Sequence, residues 1–83
     1  MKTESDKPPY LEIGLYRHFK GGMYEVEGVA LDKGDDDNRW LVIYHSLGDV
    51  ATRYVRPYDQ FIETVVVDGI KKPRFEAATN RLI

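Results

Sequence analysis

The sequence predicts a mostly-β domain built as a small SH3-like barrel of about five strands, with a 3-10 turn before the last of them. Three observations carry this: a tight first hairpin at Gly21-Gly22, a long second segment whose polarity pattern changes at Gly28, and a helical turn at Pro57 between the fourth and fifth segments. Between these marks the chain is rich in aromatic and β-branched residues, interrupted at short intervals by Gly, Asp and Pro, which is the texture of short strands.

The first strand is expected at residues 15–19 (LYRHF), stopped by Lys20-Gly21-Gly22, where glycine supplies the positive φ of a tight turn. Residues 23–32 (MYEVEGVALD) return antiparallel. Tyr24 and Val26 share one face there and Glu25 and Glu27 the other, but past Gly28 the formerly polar face holds Val29 and Leu31. A bulge or bend at Gly28, crowding any β-branched replacement, accounts for the switch. Residues 33–38 (KGDDDN) form a polar hairpin tip, and 39–46 (RWLVIYHS) are the most continuous apolar run and the central strand. A Gly-Asp turn leads to a fourth strand at 51–55 (ATRYV), which Arg56-Pro57 ends because proline cannot donate to a ladder. Residues 56–61 suit one turn of 3-10 helix. A fifth strand follows at 62–67 (IETVVV), and Asp68-Gly69 turns into 70–75 (IKKPRF). An OB-type fold is the alternative, but it needs a helix between its third and fourth strands, and 46–50 is too short to hold one.

A chain of 83 residues has room for one core, which buries only about 60% of the unfolded surface. The organisation read from composition is a flexible N-terminal tail at 1–9, one domain at 10–76 and a C-terminal tail at 77–83. There are no cysteines, so neither disulfides nor a Cys-ligated zinc can hold the fold. The first ten residues carry no signal-type apolar run and no stretch is long enough to span a bilayer, so the expectation is a cytoplasmic protein without membrane association. A net charge of −2 argues against tight, sequence-blind binding to a phosphate backbone. That charge is unevenly spread. Residues 32–37 carry four acids against one lysine, which leaves the rest of the chain at +1 and allows a local basic patch.

No enzyme constellation emerges. A hydrolytic triad needs Ser or Cys beside His and an acid, and Ser46 follows His45 directly, on the opposite face of a strand. Asp35, Asp36, Asp37 and Asn38 invite a calcium reading, yet counting from Asp35 the twelfth position is Ser46, where a bidentate Glu belongs. His18 and His45 lack a third metal ligand, and Gly21-Gly22 is a turn rather than a phosphate loop. No cofactor, metal or catalytic residue is expected. An enzyme acting through His18 or His45 is the alternative.

The remaining set is aromatic and cationic: Tyr16, Arg17, His18, Trp40, Tyr44, Tyr54, Arg56, Arg74 and Phe75. Small barrels bind through rings exposed beside loops, which stack on bases or prolines while Arg or Lys supplies charge. Tyr16 and His18 share one face of the first strand, so a ligand surface of Tyr16, His18, Tyr44, Tyr54 and Arg56 is expected. Its ligand is either a single-stranded nucleic acid segment or a peptide of a partner protein. An open edge at 70–75 can also pair with a second copy to form a homodimer.

The phrases Gly14-Leu15-Tyr16-Arg17-His18-Phe19-Lys20-Gly21, Tyr24-Glu25-Val26-Glu27-Gly28-Val29-Ala30, Val42-Ile43-Tyr44, Val55-Arg56-Pro57, Phe61 and Pro73-Arg74-Phe75 together resemble the bacterial family catalogued as domain of unknown function 1653. The resemblance runs from Gly14 to Phe75. It implies a small SH3-like barrel and no defined activity. Two positions depart from the pattern: Tyr54 stands where members commonly have tryptophan, and Arg53 where an apolar residue is usual. If that tryptophan belongs to a ligand surface, the surface is altered in this chain.

Overall fold

The structure, a computed structural model, describes residues 7–34 and 38–78. The described residues are mostly β, as expected: β1 (Gly14–His18), β2 (Met23–Lys33), β3 (Asn38–Ser46), β4 (Asp49–Pro57), a single helical turn α1 (Tyr58–Phe61), β5 (Thr64–Val67), β6 (Ile70–Pro73) and β7 (Phe75–Ala77). All ladders are antiparallel, giving a five-stranded sheet in the order β4-β3-β2-β1-β7 and a separate β5-β6 hairpin.

The β1–β2 turn forms as its glycines suggest. The Gly21 and His18 amides donate to the His18 and Gly22 carbonyls respectively, and Gly21 holds φ +110°, a region that disfavours any side chain. In β2, Val26 faces Tyr44 but Gly28 faces Ile43, so Glu27 is the additional residue of a β-bulge. The insertion changes side-chain parity. Val26 and Val29, an odd number of residues apart, therefore both pack on the core. One part of the expectation needs correction, because a Cβ built on Gly28 meets nothing within 4 Å. The bulge is real, and a side chain there is disfavoured by the backbone, at φ +159°, rather than by crowding from neighbouring atoms.

The second half of the chain departs from the expected pattern in four places. The fourth strand does not stop before Arg56-Pro57, since Arg56 pairs opposite Val42 and Pro57 opposite Leu41. β4 is a sheet edge, where a missing amide donor costs no ladder bond. The turn after it is α rather than 3-10, because the Ile62 amide donates to the Tyr58 carbonyl four residues back; only the final bond, Glu63 to Gln60, spans three. Nor does that turn precede the last strand. Residues 70–75 divide at Arg74, whose amide donates to the Glu63 carbonyl and whose carbonyl accepts from Phe19, and this redirects the chain from the hairpin to β7 on the large sheet. Finally, Ala77 pairs with Tyr16 and the Ala78 amide donates to the Leu15 carbonyl, so the domain continues past residue 76. Residues 1–6 and 79–83 of the expected tails (1–9 and 77–83), and residues 35–37 of the expected hairpin tip (33–38), lie outside the described residues.

Among the described residues six buried side chains make the core: Tyr16, Val26, Val42, Tyr44, Phe61 and Phe75. Phe61 reaches it from α1 and stacks parallel on Phe75 of β7, with ring centroids 4.1 Å apart and planes 6° from parallel. No ladder joins β4 to β7. In a flat sheet those edges would stand about 19 Å apart, four steps of roughly 4.8 Å. Yet the guanidinium carbon of Arg56 on β4 lies 6.0 Å from the Phe75 ring centroid on β7, so the sheet coils far enough for side chains of its two edge strands to meet at a seam.

Candidate functional site

At this seam the surface sinks into a depression of about 310 Å³ lined by His18, Tyr24, Tyr44, Tyr54, Arg56 and Phe75. Register explains the grouping. Val26, Tyr44 and Tyr54 are successive cross-strand neighbours on β2, β3 and β4, and Arg56, two residues beyond Tyr54, points to the same face. His18 is brought opposite Phe75 by the β1–β7 ladder. The depression is therefore the uncovered end of the inner face, where core rings give way to solvent.

Its floor is rigid. Tyr44 is 5% exposed and Phe75 6%, and Tyr44 meets Tyr24, Tyr54, Phe61 and Phe75 at centroid distances of 5.4–5.6 Å. Arg56 Nε donates to the Tyr44 hydroxyl at 3.3 Å, fixing the cation above the floor. Tyr54, 40% exposed, and the half-buried Tyr24 and His18 provide ring surface at the rim. His18 packs edge-on to Phe75 with centroids 4.8 Å apart, and its Nδ1 accepts the Lys20 amide at 3.1 Å, which leaves the ring proton of the neutral imidazole on Nε2. Burial first, then the charges of Arg56, Arg74 and Lys20, lower the His18 pKa below its ordinary value.

Four of the five expected ligand residues, His18, Tyr44, Tyr54 and Arg56, thus line one depression. Tyr16 does not. It is 6% exposed, packs edge-on against Phe61 at 5.4 Å, and donates its hydroxyl proton to the Glu12 carbonyl at 2.6 Å. It shares the inner face with His18 as expected, but it lies deeper under that face, so it is a core residue and leaves the candidate set. Two lining residues were outside the expected set. Tyr24 could have been found from its parity with Val26. Phe75 could not be placed there from local pattern, because its approach to Arg56 depends on how far the sheet rolls.

His45 lies on the outer face, away from the depression. There Glu25, His45 and Arg53 form a cross-strand row, and the bulged Glu27 reaches both His45 Nδ1, at 2.7 Å, and Arg53 Nε, at 3.0 Å. These two bonds, His45 first, lower the Glu27 pKa. The Ser46 hydroxyl accepts the Gly48 amide instead of meeting His45. Arg53, the departure noted in the sequence, is the cation of this surface network. Among the described residues no group of three His, Cys, Asp or Glu side chains could hold a metal ion, and no helix is long and apolar enough to cross a membrane.

Comparison with known proteins places this arrangement in context. The family model described as protein of unknown function (DUF1653) matches residues 14–77. Among solved structures, the crystal structure of a DUF1653 protein from Bordetella bronchiseptica aligns with a TM-score of 0.70 and 28% identity, covering 88% of this chain and 94% of that one. No curated protein matches.

Proposed function

This chain belongs to the DUF1653 family, and from that premise we propose that it is a small, non-catalytic binding module whose seam depression holds a segment of single-stranded nucleic acid. The observation that supports this reading is the pairing of ring surface with a fixed cation: Tyr24, Tyr54 and His18 around Arg56, with no carboxylate in the lining. A nucleotide offers both complements, a base to stack and a phosphate to meet the guanidinium.

Other ligands of aromatic pockets match less well. A quaternary or methylated ammonium suits a cage of rings, but Arg56 beside Phe75 repels a cation. A proline-rich peptide suits an aromatic groove and leaves the arginine without a counter-charge. An enzymatic reading through His18 has no serine, cysteine or carboxylate in the lining to work with, and one through His45 has its imidazole bound to Glu27 on the opposite face.

The test is a fluorescence-anisotropy titration with a labelled single-stranded oligonucleotide of about ten residues, a length within the range one small β-barrel covers. Binding weakened about tenfold by Tyr54→Ala and several-fold by Arg56→Ala, and outcompeted poorly by poly-glutamate, is the expected result. Equal competition by poly-glutamate would point to an acidic peptide, and turnover of the probe would point to an enzyme.

A further inference from the structure

The seam depression does not stop at His18. The same side chain lines a second depression of about 250 Å³, formed by the end of β1 and by β6. Because β1 ends at His18, strand alternation no longer separates it from Phe19, and the two rings meet at 4.6 Å. Lys20 lies 5.8 Å from the Phe19 ring centroid, so a charged aromatic ridge joins the two depressions.

The second depression is cationic. Arg17, Lys71 and Lys72 line it with Phe19 and Pro73, against the single acid Glu76. Glu76 stands opposite Arg17 in the β1–β7 ladder and offsets it, which leaves the two lysines. Among the described residues the ion pairs engage Arg39, His45, Arg53 and Arg74, and none engages Lys20, Lys71 or Lys72. In a chain of net charge −2, this local excess is a departure from the average surface.

We propose that the two depressions form one continuous track, and that the ligand is a polynucleotide strand whose base occupies the Tyr54–Arg56 depression while its backbone crosses the His18–Phe19 ridge to phosphate contacts at Lys71 and Lys72. This rests on the nucleic-acid reading of the first depression and extends it, since a mononucleotide would fill only that part. The β5-β6 hairpin, which belongs to no other sheet, acquires the role of presenting the lysines. Arg56, Arg74 and Lys20, which add to burial in disfavouring a charged His18, supply a field that would draw a phosphate across it.

A length series on the full chain tests the track: a nucleoside monophosphate, a dinucleotide and an oligonucleotide of about ten residues, each against wild type and a Lys71→Ala/Lys72→Ala variant. The track predicts at least tenfold tighter binding of the oligonucleotide than of the monophosphate. It also predicts a loss of about fivefold or more for the oligonucleotide in the variant, with a salt slope smaller by about 0.7 to 1.4, roughly 0.7 per lost contact on a single strand, because the adjacent Lys71 and Lys72 leave β6 on opposite faces and at least one of them reaches the backbone. Monophosphate binding should not change. An oligonucleotide that still loses affinity on Arg56→Ala but binds the lysine variant as it binds wild type overturns the track and leaves the first depression standing. If wild type binds none of the three at low salt, both readings fall. Both lysines are exposed, so unchanged circular dichroism of the variant confirms that the fold is intact.

Discussion

Arg56 is held at the seam by the Tyr44 hydroxyl, which accepts its Nε proton at 3.3 Å from a ring that is itself buried between β2 and β4. The core thereby orients a surface cation. Tyr44→Phe keeps the ring contacts and removes only this tether, so stability should fall by about 1 kcal/mol. Oligonucleotide affinity should fall several-fold as Arg56 gains rotamer freedom. Urea denaturation and anisotropy on the same variant check the two effects.

Tyr16 supplies the complementary case. Buried against Phe61 and bonded to the Glu12 carbonyl, it should cost about 3–5 kcal/mol when truncated to Ala. Loss of the hydroxyl alone, in Tyr16→Phe, should cost about 1 kcal/mol. A denaturation midpoint unchanged in Tyr16→Ala would place the ring outside the core.

Comparing Tyr16 with His18 shows where the sequence is legible. Strand alternation correctly put both on one face, turn chemistry located the first hairpin, and the change of polarity pattern at Gly28 located the bulge in β2. Alternation gives a face but not a depth along it, and depth decides whether a ring is core or rim. The seam was likewise beyond local pattern, because Arg56 meets Phe75 only through the accumulated coiling of five strands. The division at Arg74 depended on a bond to Glu63, eleven residues away, which no local signal announces.

Gly22 carries a packing role that its turn position alone does not suggest. A Cβ there would lie 3.1 Å from the Tyr24 ring, which is itself hemmed in by His18, Tyr44 and Phe75. The ring must give by a few tenths of an ångström, and its edge borders the open depression, so Gly22→Ala should destabilise the fold by about 1 kcal/mol. It should also disturb the rim of the depression, and thermal unfolding with near-UV dichroism of the tyrosines reads both.

The pH dependence follows from His18. Burial, then Arg56, Arg74 and Lys20, lower its pKa in the fold below the ordinary 6.5, so the unfolded chain takes up this proton more readily. Stability from this source is complete above pH 6.5 and declines as pH falls below it toward the folded pKa. Glu27 acts in a lower window: its lowered pKa adds stability that is present above 4.5 and lost as pH falls through the folded value. Denaturation midpoints measured from about pH 8 to 5 should therefore decline for wild type and decline less for His18→Phe. Parallel curves would mean that another group titrates.

The central claim, that the seam depression receives a nucleic acid strand, is tested most directly by following backbone and tyrosine ring resonances of the labelled protein while a single-stranded oligonucleotide is added at low salt. The account predicts shifts concentrated at His18, Tyr24, Tyr54 and Arg56, continuing to Lys71 and Lys72, with Glu25, His45 and Arg53 on the outer face unmoved. Shifts confined to the outer face, or none at saturating oligonucleotide, would contradict it.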